Sequence, residues 1–106
     1  MCSANKIRAL NDKFRTQLRG GRLVMTRGIA GRPDARQILA RVVYFRDFSP
    51  DNDPHGEHDF GAFDQAGDKI FWKIDYYDRD LQSGSPDPTD PETTTRVLTI
   101  MLAGEY

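Results

Sequence analysis

Cysteine is almost missing: Cys2 is the only one in 106 residues. That excludes a disulfide framework and a thiolate metal cluster, and it fits a reducing cytoplasm. Histidine occurs twice, so any imidazole chemistry must come from His55 or His58. No apolar run approaches the roughly 18 residues of a membrane span, and the first residues lack the apolar core of a signal peptide. The expectation is a soluble, unexported, cytoplasmic protein. A glycine-flanked serine elbow is missing as well, and Gly28 and Gly31 lack the following lysine and hydroxyl residue of a phosphate-cradling loop. These gaps set aside serine hydrolases and P-loop enzymes.

What is present fits one packed domain over residues 1–106, with six Phe, four Tyr, one Trp and 38% apolar residues. The net charge of -1 conceals a division. Residues 1–50 carry eleven Lys and Arg against three Asp, a net of +8, and residues 51–106 carry four basic against thirteen acidic residues, a net of -9. Either the halves neutralise one another in the fold, or they present opposite faces to partners.

Ile7, Leu10, Phe14 and Leu18 recur at helical spacing and predict an amphipathic helix from Ala4 to Arg19, stopped by Gly20 and Gly21. Lys6, Arg8, Lys13, Arg15 and Arg19 fall on its solvent side. Arg22 to Ile29 reads as a strand, and Ala35, Ile38, Leu39, Val42 and Phe45 as a second helix ending near Arg46. Near the C-terminus, Asp90, Pro91 and Glu92 carry helix-start chemistry ahead of the stripe Val97, Leu98, Met101 and Leu102. A helix is expected there, with a strand over 93–102 as the alternative because Thr93 to Thr99 is rich in β-branched residues.

Between these segments, Gln65 to Asp68 are turn residues flanked by aromatic runs, which predicts a β-hairpin of Glu57–Asp64 with Lys69–Tyr77. The register sets Phe63 opposite Ile70, Gly61 opposite Trp72, Asp59 opposite Ile74 and His58 opposite Asp75. Alternation then gives a core face of Phe63, Ile70, Trp72, Ile74 and Tyr76, and a semi-polar face of His58, Phe60, Phe71, Lys73, Asp75 and Tyr77. The resulting fold class is α+β: a single layer of three helices on a small antiparallel sheet with a central hairpin, in the order α-β-α-β-β-α.

Chemistry concentrates in DNDPHGEHDFG, where Asp51, Asp53, His55, Glu57, His58 and Asp59 crowd nine positions. For a divalent metal, His55, His58, Asp59 and Asp75 supply suitable donor types. Against that stands a structural turn in which Asp51, Asn52 and Asp53 bond nearby amides. For catalysis, Glu57, His58, Lys73 and Asp75 suggest a metal-dependent hydrolase or nuclease, although Lys73 precedes Asp75, the reverse of the restriction-type order. For partner binding without a cofactor, two charged surfaces are candidates. One is basic, built on Arg8, Arg15 and Arg19 within a run that continues through Arg22, Arg27, Arg32, Arg36 and Arg41. The other is acidic, built on Asp78, Asp80 and Asp87. They offer sites to a nucleic acid or to a protein.

The strings DNDPHGEHDFGAF, FWKIDYYDRDL and TRVLTIMLAGEY, in this order and spacing, resemble a bacterial family known as domain of unknown function 3768. The resemblance covers nearly the whole chain. It implies a small stand-alone bacterial protein, often carried on plasmids and other mobile DNA, with no established activity and no catalytic residue to transfer. From that setting and the charged surfaces, the expectation is a binding protein and a candidate inhibitor of a host nucleic-acid-handling or defence system.

Overall fold

The computed structural model describes residues 3–106; the expectation placed on Cys2 concerns a residue outside that range. The chain forms α1 (Ser3–Gln17), β1 (Gly21–Met25), α2 (Arg27–Ala30), α3 (Ala35–Val43), β2 (Phe60–Gln65), β3 (Asp68–Tyr77) and β4 (Thr95–Leu102). A 3-10 turn over Ala103–Glu105 closes it. The strands form one sheet in the order β1-β4-β3-β2. Among the described residues no helix is long and apolar enough to cross a membrane.

The α+β class and three helices on one sheet hold, but the element order is corrected. The segment expected as a C-terminal helix is strand β4. Asp90 does accept an amide, from Glu92 at 2.9 Å, and its carbonyl accepts Thr93 N–H at 3.2 Å; this closes a tight turn rather than starting a helix. Beyond the turn Arg96, Leu98 and Ile100 are buried while Thr95, Val97 and Thr99 are half-buried. Period-two burial with β-branched residues suits a strand paired on both sides. The sheet is also mixed rather than antiparallel, since β1 runs parallel to β4. The strand expected over Arg22 to Ile29 stops at Met25 because Thr26 O accepts the amides of Ile29 and Ala30, which turns the chain into α2.

The hairpin register is as expected: Phe63 pairs with Ile70 and Gly61 with Trp72, and Ile74 N–H reaches Asp59 O at 2.8 Å. Ala66 and Gly67, both at positive φ, make the connecting two-residue turn. Gly61 is required where it stands, because a Cβ there would lie 2.6 Å from Cε2 of the Trp72 indole. Phe63, Ile70, Trp72, Ile74, Leu98 and Ile100 face Phe14, Ile29, Ile38 and Val42 from the helices.

Among the described residues no α-helix packs on the opposite face of the sheet. By alternation it presents Ala62, Phe60, Phe71, Lys73, Asp75, Tyr77, Thr95, Val97, Thr99, Arg22 and Val24, while Met101 on the same side is buried. One end of this open face is touched by the C-terminal turn. Tyr106, 74% exposed, sets its ring edge-on to Phe60 at 6.2 Å and Phe71 at 5.7 Å. Glu105 anchors that turn: its carboxylate accepts Thr26 O–H at 2.6 Å, Gly28 N–H at 3.0 Å and Leu102 N–H at 2.8 Å. The Thr26 hydroxyl first, and then the backbone donors, hold the Glu105 carboxyl below its ordinary range. A depressed folded pKa means stability that is present above the unfolded value, about 4.3 for Glu, and lost as pH falls through the folded value. The melting-temperature gap between wild type and Glu105→Ala should therefore be full at neutral pH and close in acid. A gap that persists undiminished in acid would show that the carboxylate charge does not hold the turn.

Candidate functional site

Glycine and proline between Phe48 and Asp59 prevent regular structure, so polar side chains fold this loop. Asn52 Oδ1 accepts Ser49 N–H at 2.8 Å, Asn52 Nδ2 donates to Asp47 O at 2.7 Å, and Asp53 Oδ1 accepts His58 N–H at 3.2 Å. Asn52 and Asp53 thus act as the structural reading of the turn expects. Gly56 and His58 both adopt positive φ, which reverses the chain just before β2.

That reversal overturns the expected pairing of His58 with Asp75. Strand alternation does not extend back past a left-handed residue, and His58 instead turns to the helix side of the sheet. Its Nδ1 lies 2.8 Å from Asp12 Oδ1, its Nε2 lies 3.6 Å from Asp53 Oδ2, and its ring stacks on Phe48 at 3.7 Å with 3° between planes. Asp75 lies on the open face, bound to Lys73 at 2.9 Å; that pairing raises the Lys73 pKa. Glu57 accepts the Tyr76 hydroxyl at 2.8 Å. The set Glu57, His58, Lys73 and Asp75 is therefore divided between the two sides of the sheet. His55 is exposed on the loop. Among the described residues no three His, Cys, Asp or Glu side chains converge as a metal ligand set. Asp59 is half-buried, and burial first, with Glu57 second, pushes its carboxyl up.

Around His58 a cleft of about 440 Å³ is lined by Asp12, Arg15, Phe45, Arg46 and Phe48 among others. Arg15, expected on the solvent side as a partner-binding cation, is 3% exposed. Its Nη1 donates to the carbonyls of Val42, Val43 and Phe45 at 2.7, 3.2 and 3.1 Å, closing the carboxyl end of α3. Its guanidinium lies 5.0 Å from the Trp72 ring centroid and 5.5 Å from that of Phe48. Burial lowers its pKa, and Asp12 opposes that shift. Arg15 is a helix cap by function, because orphan carbonyls at a buried helix end need donors.

A second polar group that the sequence reading missed is centred on Asn11, fully buried. Asn11 Nδ2 donates to Tyr76 Oη at 2.8 Å and Glu57 O at 3.0 Å, and its Oδ1 accepts Arg96 Nε at 2.7 Å. Burial raises the Tyr76 phenol well above its ordinary value. The missed signal was spacing: Ile7, Asn11, Phe14 and Arg15 are the residues α1 buries, so two polar residues occupy the stripe.

The charged surfaces also change. Arg8 ties α1 to the loop through Gly56 O at 3.2 Å. Arg32 is bonded to Asp34 and Asp68, and Arg41 lies over the Phe63 ring at 4.3 Å, so the arginine run is not a free stripe. Arg19 remains exposed. Asp78 accepts Gln82 N–H at 3.1 Å and Asp87 accepts Thr89 N–H at 3.1 Å, shaping their loop. The Thr89 bonds first, and Lys6 more weakly, lower the Asp87 pKa. Asp80 is exposed.

A family model described as a protein of unknown function (DUF3768) matches residues 23–105. No curated protein and no solved structure matches the chain.

Proposed function

The chain belongs to this family of unknown function, and because the family brings no activity with it, we propose from the geometry that it is a binding protein whose open sheet face docks a protein partner. The observation that carries this reading is the composition of that face. An antiparallel sheet exposed to water normally turns polar residues outward, yet here half-buried Phe60, Phe71 and Val97 and exposed Val24 stand among Lys73, Asp75, Thr95 and Thr99, with Tyr106 at the end. Aromatic and aliphatic residues with a polar rim make up the centre of protein interfaces.

Charge favours a protein over a nucleic acid. On the face and its rim, Lys73 is paired with Asp75 and Lys69 with Asp64, which leaves Arg22 as the unbalanced cation. A surface that follows phosphates needs an excess of Lys and Arg. The mobile-DNA setting implied by the resemblance makes the proposed partner a host nucleic-acid-handling or defence protein, with this small cytoplasmic chain as its inhibitor. The alternative, a metal-dependent nuclease, needs Glu57, His58, Lys73 and Asp75 to converge, and they do not.

Thr99→Arg and Lys73→Glu alter the middle of the face without touching the core. Each should reduce capture of one defined host protein by about tenfold or more, as central interface residues do, while Asp80→Lys and His55→Ala leave it unchanged. Loss on Asp80→Lys with retention on Thr99→Arg would move the interface to the acidic loop. Hydrolysis of DNA or RNA that needs added magnesium, manganese or zinc and disappears in His58→Ala would replace the binding reading with the enzymatic one.

A further inference from the structure

A second cleft, of about 320 Å³, lies between the carboxyl-terminal half of α1 and the loop that leads into β4. It is lined by Leu10, Lys13, Phe14, Arg19, Pro91 and Arg96 among others, and none of its lining residues is acidic. We propose that this cleft binds a small amphiphilic anion, with an aliphatic or aromatic body against Leu10, Phe14 and Pro91 and a single carboxylate or phosphate head held by Lys13, Arg19 and Arg96.

The charge on Arg96 is what calls for an anion. Arg96 is 4% exposed, and its hydrogen bonds go to neutral oxygens, Asn11 Oδ1 and Pro88 O. Its guanidinium sits over the Tyr76 ring at 5.2 Å. Among the described residues no carboxylate lies within ion-pair distance of it; the buried network reaches one only at Glu57, through the Tyr76 hydroxyl. Buried charges are ordinarily paired, because desolvation penalises an isolated one. Arg15, the other buried arginine, has Asp12 at 3.4 Å; Arg96 has no such partner. Its Nη1 makes no hydrogen bond among the described residues, while Nε and Nη2 are engaged.

Two further cations reinforce the site. Lys13 and Arg19 are exposed and neither takes part in an ion pair among the described residues, unlike Arg32 or Lys73. They line the cleft together with Arg96, so a head group entering there meets three cations in a lining that holds no acidic side chain. The apolar walls add the second requirement. A bare inorganic ion would leave half-buried Leu10 and exposed Pro91 facing water, whereas an attached hydrocarbon body buries against them and reaches the edge of Phe14.

Amide-resolved NMR titration of the whole protein tests this, with 3-phenylpropanoate as the anionic probe, 3-phenylpropanamide as its neutral counterpart and inorganic phosphate as the bare anion. The propanoate should give saturable shifts at Phe14, Gly20 and Thr94. The amide and phosphate should each bind about tenfold more weakly or worse, since one lacks the charge-assisted bonds and the other the apolar contact. Lys13→Ala with Arg19→Ala, both surface changes, should weaken the propanoate about tenfold while leaving the other amide positions where they are. Absence of saturable shifts, equal binding of acid and amide, or binding undiminished in the double variant would overturn the site. Phosphate binding as tightly as the propanoate would overturn the requirement for an apolar body.

Discussion

Trp72→Ala should destabilise the protein by about 3 to 5 kcal/mol, the range for emptying a fully buried aromatic position. A domain of this size is stable by only about 5 to 15 kcal/mol, so the variant should melt far below wild type or fail to accumulate. The indole is 0% exposed and is held edge-on by Phe45 at 5.5 Å and Phe48 at 6.1 Å, with the Arg15 guanidinium above it. Gly61 opposite leaves room for the ring and for nothing else. Removing the side chain therefore opens a void that the rigid hairpin cannot close. A Trp72→Ala protein with a wild-type denaturation midpoint would show that the core does not lie on this face of the sheet.

Arg15→Ala should be the next most damaging change, costing about 3 kcal/mol, because losing the donor leaves buried carbonyls unsatisfied at roughly 1 to 3 kcal/mol each. Val42, Val43 and Phe45 would all lose their guanidinium contact, and of these carbonyls Val42 O would keep only the long amide bond from Phe45 at 3.3 Å. Asp12→Asn is the control. It removes the half-exposed carboxylate charge that pairs with Arg15 at 3.4 Å and faces His58 at 2.8 Å, and such partly exposed pairs contribute about 0 to 1 kcal/mol each. Chemical denaturation of both variants decides the matter: a large loss for Arg15→Ala with a small one for Asp12→Asn supports the cap. Equal, small losses would return Arg15 to the solvent-facing role that helical spacing first suggests.

The hairpin was legible because local chemistry specifies it. Turn residues at Gln65 to Asp68 fix the register, and bulky Ile70, Trp72 and Ile74 fix which face is buried. β4 was harder to read because Asp90, Pro91 and Glu92 offer the same capping groups to a turn as to a helix. What decides between them is the presence of β1 and β3 on either side, a tertiary fact. The candidate site was only half legible. His58 was identified as chemically important, but its partners Asp12 and Asp53 depend on the left-handed turn at Gly56 and His58, which propensity does not signal. Arg15 was misread, and Asn11 and Arg96 passed over, for a different reason: buried polar residues look like surface residues until their hydrogen-bond partners are known. Both ring nitrogens of His58 face carboxylates and Glu57 is bonded to Tyr76, partners that lie far from the loop in sequence or across a left-handed turn.

The central claim is that the open sheet face, rather than the His58 cleft, meets the partner. Site-specific photo-crosslinking in the native host measures this directly, with a benzophenone amino acid placed at Thr99 on the face, at Arg46 beside His58, or at Asp80 on the acidic loop. Position 99 should give one discrete covalent adduct carrying a single host protein, and positions 46 and 80 should give none. Adducts from position 46 or 80 with none from position 99 would contradict it.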